Sequence, residues 1–218
     1  MLLEELSKIL YVYTPRILHF IAMPDFWIYF NIGLRHVLDI HGYDHVLFLI
    51  ALTVPYTFKE WPRILLLVSI FTLGHTLALL LSVFGIVTMN ASLVEFMIPV
   101  TILIAAIFGL LTAGKTSKSG SPATAVFITL FFGLIHGLGF SNYFNSILAG
   151  TPTDKLIPLL EFALGIEAAQ IIVVLVVLII GYLVQTLLRF NRRDWALTAS
   201  AFVAGVVVPL IIENEIWK

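Results

Sequence analysis

The residues most able to do chemistry are three histidines and two aspartates that stand within ten residues of each other, from His36 to His45. On a helix, His41 and His45 would share one face with Asp44 close by, because residues four apart lie above one another. Imidazole and carboxylate donors suit Zn, Ni, Co or Fe. This spacing predicts a divalent transition-metal site, and the alternative is a polar collar of hydrogen-bonded histidines.

Three further ionisable residues, His75, His136 and Glu167, stand inside long apolar runs. An ionisable group at the centre of a bilayer costs about 2.5–3.5 kcal/mol on insertion scales, so each requires a partner or a function. Gly133 and Gly137 form a small-xxx-small surface that predicts a helix contact at His136. A rise of about 1.5 Å per residue brings all three to similar depths, near the cluster from His36 to His45. One joint metal site is therefore expected, whereas Glu161 is expected at the membrane interface.

The composition indicates which kind of scaffold must position these residues. The chain has 218 residues, 60% apolar and 11% charged, with a mean hydropathy of +1.05. A soluble domain is about a quarter charged, so this composition excludes a soluble globular fold. Twelve basic against thirteen acidic residues leave no cationic face for nucleic acid, and without cysteine there is no disulfide, thiolate metal site or cysteine nucleophile. The predicted fold is an all-α, polytopic transmembrane helical bundle.

The apolar runs predict about six spans in one integral membrane domain over residues 1–218, with an interfacial amphipathic segment at 1–24 and the bundle at 26–212. Crossing about 30 Å of hydrocarbon takes roughly 20 residues, which each run approaches or exceeds. The first span is interrupted by the polar cluster from Arg35 to His45. The six expected spans cover 26–56, 62–87, 93–113, 123–148, 157–188 and 195–212.

The distribution of lysine and arginine predicts the orientation. The loops after the first, third and fifth spans hold seven of these residues, and the short loops after the second and fourth hold one, Lys155. The positive-inside rule then places those three loops in the cytoplasm, with an inner-membrane location and a site that opens to the extracytoplasmic side. The inner half of the bundle is expected to be dry. The seven residues are Lys59, Arg63, Lys115, Lys118, Arg189, Arg192 and Arg193.

Four ordered motifs carry a resemblance: GYDHVLFL from Gly42, FTLGHTL from Phe71, FGLIHGLGF from Phe132 and FALGIEAAQ from Phe162. Over about residues 30–190 the chain resembles the HupE/UreJ family of small membrane proteins. The resemblance implies a six-span helical fold and permeation of nickel or cobalt. Members of the family place a histidine shortly before the G-x-D-H motif that contains Asp44. The resemblance leaves open whether His36 or His41 takes that role. The implied ligands are Asp44, His45, His75, His136 and Glu167.

Two classes of function remain after the sequence is read. The first is a nickel/cobalt-type permease. It captures the ion at the outer mouth with His36, His41, Asp44 and His45 and passes it to a site built from His45, His75, His136 and Glu167. The second is a zinc-dependent intramembrane hydrolase, in which Glu167 or Asp44 is the general base and the substrate is lipid-like. An accessory metal-sensing subunit is a third alternative. Imidazole must be neutral to bind metal, so binding is expected to fall below about pH 6. The expected partners are the lipid bilayer and the metal ion (Ni, Co or Zn), not nucleic acid.

Overall fold

A computed structural model describes residues 26–114, 122–148 and 150–218. Every regular element in these ranges is helical. The interfacial segment predicted at 1–24 lies outside the described residues. The helices are α1 (Phe26–Leu38), α2 (Asp44–Thr53), α3 (Trp61–Val83), α4 (Ala91–Thr112), α5 (Pro122–Ile147), α6 (Leu156–Leu187) and α7 (Arg192–Ile212), with 3-10 turns at Phe58–Glu60 and Glu215–Trp217.

Five of the described helices, α3 to α7, are long and apolar enough to cross a membrane. The expectation of six spans is wrong at the first run, which forms a hairpin of two shorter helices. With 13 and 10 residues, α1 and α2 extend about 20 and 15 Å, less than the roughly 30 Å of a hydrocarbon core. The polar segment between Leu38 and Asp44 ends the first helix and lets the chain turn back.

Local signals explain where the long helices begin. Asn90 and Asn191 are N-caps whose side chains accept hydrogen bonds from backbone N–H groups two and three residues later. The turn before α3 carries a capping box between Thr57 and Glu60, and Pro62 occupies the first turn of that helix. These residues give each helix start a local signal that can be read from the sequence.

The chain direction gives the bundle two distinct ends. One end of the bundle is called the histidine end. It contains the α1–α2 loop, the last turn of α3 and the start of α6. There Asn145 of α5 donates to Ser82 of α3 and accepts from Lys155. At the opposite end, the arginine end, Arg192 donates to the Pro55 carbonyl and pairs with Glu60 at 3.2 Å.

The short helix α2 lies in the middle of the bundle. Leu47, Phe48, Leu49 and Ala51 are all buried, and α2 contacts α1, α4, α6 and α7. The long helices around it expose large apolar side chains on their outer faces, as expected of a bundle whose solvent is lipid. As a result, α2 carries its first residues, Asp44 and His45, into the protein interior rather than to a lipid-facing surface.

Candidate metal centre

Four helices contribute one histidine each to a buried cluster, called the histidine cluster: His36 from α1, His45 from α2, His75 from α3 and His136 from α5. His36, His45 and His75 each offer one ligand atom, and these three atoms lie within 4.8 Å of one another. The ring centroids of His36 and His45 are 4.6 Å apart, and each lies 5.6–5.7 Å from that of His75. The His136 ring is 5.3 Å from that of His45. The geometry gathers imidazoles that are distant in sequence around one point.

The nitrogen atoms of the cluster are left available for a ligand. Nε2 of His36, His45 and His136, and both nitrogens of His75, are buried without a hydrogen-bond partner. Buried polar atoms are rarely left unpaired, because each loses its hydrogen bond to water. A neutral imidazole has a lone pair on one ring nitrogen, so the four rings offer four lone pairs, which fit a divalent cation.

Two of the rings are oriented by a bond at the other nitrogen. His45 Nδ1 donates to the Asp44 carboxylate at 3.2 Å, and His136 Nδ1 donates to the Phe132 carbonyl at 2.8 Å. Such bonds fix the tautomer so that Nε2 carries the lone pair, as in known metal sites. In this arrangement Asp44 acts on His45 rather than joining the three donors within 4.8 Å of one another.

Glycines bring α3 and α5 close enough for His75 and His136 to meet. A Cβ atom at Gly133 would overlap the Phe71 carbonyl oxygen, and one at Gly137 would overlap the His75 carbonyl oxygen. The close contact predicted for Gly133 and Gly137 is thereby confirmed. It sets the two histidines at a helix interface rather than in lipid.

Aromatic rings enclose the cluster. The Phe140 ring lies 3.9 Å from that of His36, and Phe71 lies 5.1 Å from His136. Below them Phe48 stacks on Phe71 at 4.7 Å. His45, His75 and His136 are buried, whereas His36 is partly exposed and the Asp44 side chain is 28% exposed. His36 and Asp44 are therefore the residues of this group that lie nearest the surface.

Glu167 makes a different set of contacts, toward the arginine end. Ser69 Oγ donates to Glu167 Oε1 at 2.6 Å, and Thr72 Oγ1 donates to Glu167 Oε2. Gln170 Oε1 lies 2.9 Å from the same Thr72 hydroxyl. These four residues form an oxygen-rich group, called the Glu167 node, one helical turn from His75 along α3. Ser69 and Thr72 were not among the residues selected from the sequence, although the two hydroxyls lie on the His75 face of α3 at three-residue spacing.

The structure separates the remaining sequence candidates from the cluster. His41 is exposed in the α1–α2 loop, where its backbone N–H donates to Asp39 Oδ1. The expected helical pair of His41 and His45 does not form, because α2 begins only at Asp44. Glu161, expected at the interface, is buried with 1% of its surface exposed. The sequence did not decide between His36 and His41, and of these two His36 lies inside the cluster.

A family model described as HupE / UreJ protein matches residues 16–214 of the chain. The matched range contains every helix from α1 to α7, the four histidines of the cluster and the Glu167 node. No curated protein and no solved structure shows a significant match to the chain.

Proposed function

Because this chain belongs to the HupE/UreJ family of membrane proteins, we propose that it carries a divalent transition metal, nickel or cobalt, across the membrane. The observation that supports this most strongly is the set of imidazoles of His36, His45 and His75, whose ligand atoms lie within 4.8 Å of one another. Retaining such groups inside an apolar bundle is unfavourable without a ligand. Nickel and cobalt both accept imidazole nitrogen.

The proposed capture step uses the four histidines and Asp44. The ion enters past the partly exposed His36 and Asp44 and is bound by Nε2 of His36 and His45 and by one nitrogen of His75. His136, which adjoins His45 on the far side from His36, offers a further nitrogen. Asp44 keeps the His45 tautomer competent and adds negative charge near the cation.

The proposed onward step uses the Glu167 node. It lies toward the arginine end from His75, and it presents carboxylate, hydroxyl and amide oxygens instead of nitrogen. Oxygen donors bind nickel and cobalt less strongly than a set of imidazoles does, so such a group suits an ion in transit. A carboxylate in this position would also offset the charge of the moving cation.

A zinc hydrolase remains the second candidate, supported by one feature of the cluster. Three histidines around a cation would leave a fourth position for water, which zinc activates by lowering its pKa to about 7. Asp44 is the carboxylate adjoining this cluster, and a lipid-like molecule is the substrate that a membrane site would receive. Such an enzyme keeps its metal, whereas a permease must release it.

The experiment is uptake of ⁶³Ni or ⁵⁷Co into proteoliposomes, combined with metal analysis of the chelator-washed protein. We expect uptake that His75→Ala abolishes, with little metal retained after washing. His41→Ala is the matched control, because His41 is exposed and outside the cluster, and it should transport normally. Stoichiometric zinc that survives washing, together with no uptake, would contradict transport and favour the hydrolase.

A further inference from the structure

A cavity of about 600 Å³ opens at the arginine end, between the end of α2, the 3-10 turn before α3, the last turns of α6 and the start of α7. The sequence predicted a dry inner half of the bundle, whereas polar and charged side chains line this space. The cavity lies apart from the histidine cluster and plays no part in the proposed capture of metal. Its polar lining comprises Thr53, Tyr56, Thr57, Lys59, Gln185, Thr186, Arg192 and Trp195.

Two hydrogen-bond donors of this lining are unused. The Lys59 ammonium and the Trp195 indole N–H make no hydrogen bond within the described part of the chain. Burial raises the pKa of the Tyr56 phenol above its ordinary value, so this group keeps its hydrogen. The cavity therefore fits a ligand rich in acceptor oxygens.

The charge at the cavity is positive. Arg192 forms an ion pair with Glu60, whose carboxylate also accepts hydrogen bonds from Thr57. Lys59, in contrast, has no acidic partner in the described residues. A second cation close by, Arg63, lies over the Tyr56 ring at 5.6 Å. An anion is thus favoured over a neutral or cationic ligand.

The remaining wall of the cavity is apolar and continues onto the lipid-facing surface. Val177, Leu178 and Phe58 line the space, and Tyr182 stands beside Phe58 with ring centroids 6.5 Å apart. The exposed fraction is 59% for Tyr182. It is 71% for Leu187 and 55% for Trp61, which lie at the same end of the bundle. Aromatic side chains at this level mark the membrane–water interface, where lipid headgroups lie.

We propose that this cavity binds the phosphate headgroup of an anionic phospholipid, with Lys59 and Trp195 contacting the phosphate oxygens and the acyl chains lying along the exposed apolar face of α6. Basic pockets between transmembrane helices commonly hold such headgroups. The inference does not depend on the proposed transport of metal.

The test is native mass spectrometry of the delipidated full-length protein, titrated with phosphatidylglycerol, with phosphatidylcholine or with inorganic phosphate. We expect one tightly held phosphatidylglycerol, weaker binding of phosphatidylcholine, and no displacement of the lipid by millimolar phosphate. Lys59→Gln should weaken phosphatidylglycerol binding about fivefold, the effect of one interfacial cation. Lys155→Gln, the same charge change at the histidine end, should leave it unchanged.

Equal binding of phosphatidylcholine and phosphatidylglycerol, or equal effects of the two lysine variants, would overturn the proposal. Displacement of the lipid by inorganic phosphate would assign the cavity to a free anion and overturn the lipid assignment.

Discussion

Each histidine of the cluster has a nitrogen that the protein leaves without a partner, and for His45 and His136 the protein fixes which one. Asp44 and the Phe132 carbonyl hold Nδ1 of these two rings, so Nε2 must carry the lone pair. The sequence predicted the residue types of the cluster, because imidazole chemistry does not depend on the fold. It did not distinguish His36 from His41, since that choice depends on where α1 ends and α2 begins.

The Glu167 node gives the first prediction at this scale. Glu167→Gln should leave metal binding at the histidine cluster intact and lower the uptake rate about tenfold or more, because a charged hydrogen-bond partner worth about 1.5–3 kcal/mol is removed from the path. Isothermal titration of the solubilised protein measures binding, and proteoliposomes measure uptake.

The matched control for this variant is Glu95→Gln, which makes the same change at an exposed position on α4. It should alter neither quantity. If Glu167→Gln instead abolished binding, Glu167 would belong to the capture site with the histidines, as the family resemblance implied.

At the scale of elements, the cluster depends on contacts between helix backbones. Gly133 and Gly137 let α5 touch the α3 backbone at Phe71 and His75, and this contact was predictable from the small-xxx-small spacing. The α1–α2 hairpin was not predicted. Its two helices together contain about as many residues as one span. A count of apolar residues over the whole run therefore predicts a single span, whereas the polar residues 39–43 divide the run into two helices.

The second prediction tests the contact between α3 and α5. Gly137→Ala should force the helices apart, which lowers the melting temperature by several degrees, as overpacking by about 1–3 kcal/mol would do. Metal affinity should fall as well, because His75 and His136 separate. Thermal unfolding and metal titration in the same detergent measure both effects.

A glycine in an open position provides the comparison. A Cβ at Gly205 of α7 would meet no other atom within 4 Å, so Gly205→Ala should leave metal affinity unchanged and the melting temperature equal or slightly higher. Similar losses in both variants would show that the α3–α5 contact has no special role.

At the scale of the whole molecule, the two ends of the bundle differ in both charge and chemistry. In the proposed function, the histidine end admits the ion past His36 and Asp44. The arginine end carries the basic residues Lys59, Arg63 and Arg192, and the positive-inside rule predicts that this end lies in the cytoplasm. That orientation stays a prediction from lysine and arginine counts. The cavity at the arginine end was not predictable, because it forms between four elements whose packing no local pattern encodes.

The orientation gives the third prediction. The chain has no cysteine, so single cysteines can be introduced without a background signal. In intact spheroplasts, a membrane-impermeant maleimide should label Thr153→Cys, between α5 and α6, and should leave Phe190→Cys, between α6 and α7, unlabelled until the membrane is permeabilised. The reverse pattern would place the route to the histidine cluster on the cytoplasmic side.

The central claim, that imidazoles from separate helices bind one cation, is tested most directly by X-ray absorption spectroscopy of the cobalt-loaded protein. We predict three or four imidazole nitrogens on a single cobalt, one fewer in His75→Ala, and an unchanged spectrum in His41→Ala. A first shell made only of oxygen, or a spectrum that His75→Ala does not alter, would contradict the account.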